Sequence, residues 1–172
     1  MPSQGGESFK ALKKQYSKGM ELENKTLGVI GLGRIGQEMV RIGLGMGMNV
    51  IGSDPFVNQV KVRLGGKSCG FDVTIDAQPQ DTLLKEADFI SIHVPALKDP
   101  VITASEFSKM KDGVVIVNCS RGGIINEDDL IAALDSGKVL GAGLDVFLGE
   151  PSPRKDLLQH PKISLTPHTG AS

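Results

Sequence analysis

The segment Gly31-Leu32-Gly33-Arg34-Ile35-Gly36 spaces three glycines as G-x-G-x-x-G, and the acidic Asp54 follows about 20 residues further on. That spacing suits a phosphate loop. Gly31 permits a tight turn, Gly33 lets a pyrophosphate approach the backbone, and Gly36 lets the next helix pack close to the preceding strand. A helix N-terminus offers unpaired N–H groups and a partial positive charge to phosphate oxygens. Asp54 is placed to accept hydrogen bonds from the ribose hydroxyls of a dinucleotide. A carboxylate there repels a 2′-phosphate, and no arginine follows it in Pro55, Phe56 and Val57, so NAD is expected rather than NADP. The bland alternative is a glycine-rich turn beside a solvated aspartate.

Three later segments carry polar residues just after apolar runs. The first holds Asn118, Cys119, Ser120 and Arg121, the second Asp145 and Glu150, the third Thr166, His168, Gly170 and Ala171. An open parallel sheet binds ligands at the carboxyl ends of its strands, so Arg121, Glu150 and His168 are expected to converge on one side of such a sheet.

The elements that must position these groups are legible from periodicity. Apolar runs at 26–30, 49–53, 71–74, 88–93, 114–118, 141–146 and 163–166 read as strands, most with little alternation. Residues 34–48 have helical spacing through Ile35, Met39, Ile42 and Met46, with Gly43 and Gly45 inside, which implies close packing on the sheet or an early end. Further helical stretches are expected near 57–64, 81–87, 103–110 and 127–136. Asn126 is a good N-cap for the last, with Asp128 and Asp129 in its first turn and Gly137 past its end. Residues 6–18 read as a short helix with an apolar stripe of Phe9, Leu12 and Tyr16, and with Lys10, Lys13, Lys14 and Lys18 on a solvated face. The expected fold is α/β: a Rossmann-type, doubly wound parallel sheet with helices on both faces. Residues 1–24 are expected to form an N-terminal helix and linker, and 25–172 the dinucleotide-binding domain.

Composition narrows the function. A net charge of −1 gives no electrostatic footprint for nucleic acid or an anionic membrane. No apolar run approaches the roughly 18 residues of a membrane span, and the start lacks the regions of a signal peptide. Cys69 and Cys119 lack metal-ligand spacing and disulfide-framework numbers, so two reduced thiols in a cytoplasmic protein, and no metal, are expected.

With these motifs in order, the chain resembles the D-isomer-specific 2-hydroxyacid dehydrogenases from about Glu21 to Ser172. Lys25-Thr26-Leu27-Gly28 before the glycine loop and His160-Pro161 before the last strand add to the likeness. Within the family the likeness is greatest to the branch that oxidises D-3-phosphoglycerate with NAD at the start of serine synthesis. The resemblance implies that His168 exchanges a proton with the substrate hydroxyl, and that Glu150 is the carboxylate paired with its imidazole. It implies that Arg121 grips the substrate carboxylate, a planar task that lysine performs poorly. Asp145 would orient the nicotinamide carboxamide. Gly31, Gly33, Arg34, Ile35, Gly36, Asp54, the His93-Val94-Pro95 turn, Cys119, Ser120, Arg121, Asp145, His168, Gly170 and Ala171 would line the cofactor.

Alternatives stand beside these roles. His93 reads equally as a structural histidine at a strand end or as a ligand contact. Cys119 reads as a small wall residue rather than a nucleophile, and His160 as exposed and inert. Full-length family members carry a second domain that closes over the substrate. Its absence here implies an excised cofactor domain, able to bind NAD(H) with little or no turnover. Related cofactor domains pair into dimers, so a homodimer through this domain is one reading and the oligomeric state stays open. An NAD(H)-sensing corepressor of the same family is the competing class. A formate dehydrogenase is disfavoured, because it generally has glutamine where Glu150 stands.

Overall fold

Apolar runs that stop at glycine or at a polar residue become buried strands here, and amphipathic stretches between them become helices. The structure, a computed structural model, describes residues 9–17, 19–66 and 68–170. Among the described residues the order is α1 (Phe9–Tyr16), β1 (Thr26–Ile30), α2 (Arg34–Gly45), β2 (Asn49–Ser53), β3 (Gln59–Leu64), β4 (Phe71–Asp76), α3 (Gln80–Glu86) and β5 (Phe89–Ile92). It continues through α4 (Ala104–Lys109), β6 (Val114–Asn118), α5 (Glu127–Asp135), β7 (Val139–Leu144), α6 (Lys155–Gln159) and β8 (Ile163–Leu165). Residues 6–8 and Lys18 of the expected first helix, and the Tyr16 side chain of its stripe, lie outside the described residues.

Six strands pair in parallel in the order β2-β1-β5-β6-β7-β8. The chain winds from β1 to β2 on one side and from β1 to β5 on the other. That reversal opens a crevice beyond the carboxyl ends of β1 and β5, where α/β proteins of this winding bind ligands. Leu27 and Val29 of β1 pack with Val40 of α2 and with Val60 and Val62 of β3. Ile30, Ile90 and Ile116 face the other way, onto Leu83, Leu84, Phe107, Leu130 and Leu134 of α3, α4 and α5. Around β1 the sheet is thus covered on both faces, each with its own apolar core, while Val115 and Val117 of β6 are only half-buried on the α2 side.

Two expectations fail in detail. Residues 57–64 form no helix; β3 pairs antiparallel with β4 in a separate two-stranded sheet. Gln59, Lys61 and Arg63 are exposed while Val60 and Val62 are buried, a period of two that fits a half-buried strand and not a helix. The run at 71–74 is a strand as expected, yet it belongs to this hairpin. Among the described residues, only Ala77, bridged to Gly52, continues the parallel sheet beyond β2. The helix expected over 34–48 ends at Gly45. Its Gly43 lies so close to β1 that a Cβ there would meet Leu27 at 2.6 Å, which accounts for glycine at that position. The short α6 has no counterpart among the expected elements.

Candidate active site

The glycine loop is built by contacts that exclude side chains. Gly31 adopts φ +94°, a conformation that favours glycine, and its N–H donates to Ser53 O at 2.8 Å. A Cβ on Gly36 would lie 1.9 Å from Gly31 O, so the first turn of α2 can press against the loop only with glycine there. Gly33 is the N-cap of α2 and has no side chain to occupy the first amides; among the described residues nothing lies within 4 Å of where its Cβ would be. The helix therefore presents free N–H groups to open space, as a phosphate site requires.

Asp54 ties this loop to the end of β2. Its Oδ2 accepts from Leu32 N at 2.8 Å, and its Oδ1 from Phe56 N at 2.8 Å and Val57 N at 3.1 Å. The carboxylate is fixed by backbone, with one lone pair of Oδ2 left for a ligand hydroxyl. It borders a cavity of about 410 Å³ that also involves Asn58, Gln78, Pro79 and Gln80. These four escaped the sequence reading because the β3–β4 hairpin, which brings Asn58 to Gln78, was not foreseen.

A second cavity, about 420 Å³, is lined by Gly33, Arg34, Ile35, His93, Val94, Pro95, Cys119, Ser120 and Arg121. All nine are residues expected to line the cofactor, gathered from the loops after β1, β5 and β6. His93 proves to be both structural and cavity-lining: its Nε2 pairs with Ser91 Oγ at 2.8 Å. Burial pushes its imidazole below the ordinary range. The buried Asn118 shapes the next turn, accepting from Ser120 N at 3.0 Å and donating from Nδ2 to Arg121 O at 3.0 Å. The Arg121 side chain remains exposed, with Nη1 donating to Ser120 O at 2.6 Å. Desolvation, and then the Asp145 charge, push the Cys119 thiol up, away from nucleophilic character.

The last two loops meet directly. His168 Nδ1 and Glu150 Oε2 are 2.8 Å apart, and Glu150 Oε1 accepts from Phe147 N at 3.1 Å. The His168 hydrogen bond, followed by that from Phe147, holds the Glu150 carboxyl below the usual carboxylate range. His168 itself sits at φ +54°, the left-handed region that side-chain-bearing residues rarely adopt. Asp145, buried behind it, holds that turn. Its carboxylate accepts from the Thr166 hydroxyl, from Thr169 N at 2.8 Å and from Gly170 N at 2.7 Å. These bonds, the Thr166 hydroxyl first, hold the Asp145 carboxyl below its usual range.

The three loops also touch one another. A Cβ on Gly122 would lie 2.3 Å from Phe147 O, and one on Gly170 would lie 2.9 Å from Asp145 Oδ2 and 3.9 Å from Cys119 Cβ. Arg121, Glu150 and His168 thus follow three adjacent strands at one edge of the sheet, the edge that carries the glycine loop. Ala171 lies outside the described residues. His160 corrects its expectation: its side chain is only 10% exposed, pairs with Asp135 at 3.3 Å, and accepts from Lys162 N at 3.2 Å. It closes the end of α6 away from the site. Among the described residues, no helix is long and apolar enough to cross a membrane.

Comparison with known proteins agrees with this fold. A D-3-phosphoglycerate dehydrogenase of Archaeoglobus fulgidus is 44% identical over 158 residues, 90% of this chain and 28% of that protein. A hydroxypyruvate reductase of Thermotoga maritima is 44% identical over 165 residues, 93% of this chain and 50% of that protein. The apo structure of Rhodotorula graminis D-mandelate dehydrogenase superimposes with a TM-score of 0.82 at 30% identity, covering 98% of this chain and 48% of that one. The chain spans half the length of these relatives or less. Residues 3–170 match the family model described as D-isomer specific 2-hydroxyacid dehydrogenase, NAD binding domain, and the chain belongs to that family.

Proposed function

We propose that this chain is the cofactor-binding and acid–base half of an enzyme that oxidises the 2-hydroxyl of D-3-phosphoglycerate with NAD. The observation that carries the reading is the 2.8 Å contact of His168 with Glu150, on the sheet edge that also bears the glycine loop and Arg121. In this reading residues 25–172 are the cofactor unit and 1–24 lead into it.

The residues fit the cofactor. Glycine loop and helix start offer amides where a pyrophosphate would lie, and Asp54 keeps an acceptor for a ribose hydroxyl. When bound, NAD supplies the hydride acceptor. The chain's own groups do the rest. With Nδ1 engaged by Glu150, the Nε2 of His168 is the nitrogen free to take the proton of the 2-hydroxyl as oxidation proceeds. Glu150, held ionised, steadies the imidazolium that results. Arg121 offers a planar pair of donors to the substrate carboxylate. Asp145 keeps the His168 turn in place and can accept from the nicotinamide carboxamide with its remaining lone pair.

The choice of acid draws support from relatives named D-3-phosphoglycerate dehydrogenase at 40–44% identity. The hydroxypyruvate reductase at 44% identity makes a sharp competitor. NADH absorbance, followed for the product of the full coding sequence, tests the choice against D- and L-2-hydroxy acids and hydroxypyruvate. D-3-phosphoglycerate should give the highest kcat/KM and L-acids none. A higher kcat/KM with hydroxypyruvate would overturn the substrate, and activity with L-acids would overturn the stereochemistry.

A further inference from the structure

Glu127 opens α5 directly after its N-cap, beside Asp128 and Asp129, yet it behaves unlike them. Asp128 pairs with Arg154 Nη1 at 2.7 Å on the surface, and Asp129 accepts from Ala104 N at 2.8 Å. Glu127 turns inward and is 4% exposed. Its Oε1 accepts from Leu148 N at 2.7 Å, and its Oε2 is buried with no hydrogen-bond partner among the described residues. A half-satisfied buried carboxylate is a poor stabiliser, because desolvation opposes it and one neutral N–H offsets little. Its position points instead to what that N–H belongs to.

Leu148 N is the neighbour of Phe147 N, and two carboxylates divide these successive amides. Glu150 takes Phe147 N while also holding His168; Glu127 takes Leu148 N. The loop that carries Glu150 is thereby tied to α5. Six residues before Glu127 is Arg121, and the glycines between them seat on the same loop. Gly122 lies against Phe147 O, and a Cβ on Gly123 would lie 3.1 Å from Leu148 Cδ2. One segment thus carries the Arg121 guanidinium at one end and the anchor of the Glu150 loop at the other.

We infer that Glu127 is a positioning residue: through the Leu148 amide it fixes Glu150 against His168 and in register with Arg121. The inference rests on the proposed pairing of Glu150 with His168. A positioning role differs from a structural one in a readable way. The Nδ1 contact with Glu150 selects the Nδ1–H tautomer of a neutral His168. Loss of the anchor should release that tautomer with little change in fold stability, since an apolar side chain removes an unpaired buried oxygen as well.

The experiment is ¹⁵N NMR of imidazole tautomers in this chain at about pH 9, well above the ordinary imidazole range. His93 and His160 serve as internal references. Glu127→Met removes both oxygens at similar volume, and Glu127→Leu carries the same test should the methionine variant fail to fold. Glu127→Gln keeps a carbonyl for the Leu148 N–H. Expected is a fall of about half or more in the His168 Nδ1–H fraction for Glu127→Met, as for Glu150→Leu, with Glu127→Gln near wild type. The thermal midpoint of Glu127→Met should stay close to wild type, because losing the acceptor of Leu148 N–H offsets removal of the unpaired oxygen, and NADH affinity should be unchanged. A wild-type tautomer in folded Glu127→Met, or an equal loss in Glu127→Gln, would overturn the inference. An unchanged tautomer in Glu150→Leu, which has no acceptor for Nδ1–H, would instead remove the pairing on which it rests.

Discussion

The N–H of Gly170 donates to Asp145 Oδ2 at 2.7 Å, two residues beyond His168, while the Thr166 hydroxyl, two residues before His168, donates to Oδ1. One buried carboxylate therefore brackets the candidate acid–base residue from both sides and keeps it at a positive φ. Asp145→Asn sets an amide N–H₂ against a backbone N–H in one orientation or the other. A loss of about 1–3 kcal/mol is expected, the cost of an unsatisfied buried donor. Urea denaturation measures it; an unchanged midpoint would mean the bracket does not hold the turn.

The same groups set an acid limit. Asp145 and Glu150 both have carboxyl groups lowered from the ordinary values of 3.8 and 4.5. A folded-state value below the unfolded one contributes stability that is present above the unfolded value and is lost as pH falls through the folded one. The contribution of these two groups should thus be flat down to the ordinary carboxylate range and decline below it, a limb separate from the decline that the buried His93 begins at the ordinary histidine value of 6.5. In Glu150→Gln the decline should be shallower. Thermal melts between about pH 2 and 7 would show this, and identical acid limbs would contradict it.

Cofactor choice follows from Asp54. NADH should bind this chain about tenfold or more tightly than NADPH, a difference of about 1.4 kcal/mol. Asp54→Asn should narrow the ratio by relieving repulsion. It is a cleaner probe than alanine, which would also strip acceptors from Leu32, Phe56 and Val57. Calorimetry with both nucleotides decides; equal affinities in the unmodified chain would refute the role.

The glycine loop offers a steric test. A methyl on Gly36 would sit 1.9 Å from Gly31 O, against backbone that cannot swing aside. Gly36→Ala should abolish NADH binding or the fold, whereas Gly45→Ala, where the Cβ meets nothing within 4 Å, should be tolerated. Comparable NADH affinity in the two variants would contradict the close packing.

What the sequence made legible was mostly local. The glycine loop declares itself because its neighbours in sequence are its neighbours in space, and Asp54 and the strand-end residues because a parallel sheet carries the end of every strand to one side. The hairpin was hidden because an expected strand–helix alternation overrode the two-residue period of Val60 and Val62. With it went Asn58 and Gln78, which only the hairpin brings together. Glu127 was hidden differently. Three acids in a helix's first turn look alike to the helix dipole, and only the loop after β7, folded back onto α5, distinguishes the buried one. His160 likewise became a closing residue through Asp135, 25 positions away.

The most direct measurement is the effect of His168→Ala on turnover and on NADH affinity, made on the product of the full coding sequence. A general acid–base residue contributes about 10²- to 10⁴-fold to rate. Turnover of D-3-phosphoglycerate should fall by that factor, while NADH affinity, set by the glycine loop and Asp54, should change by about twofold or less. Turnover within about tenfold of the unmodified enzyme would contradict the assignment of proton transfer to His168.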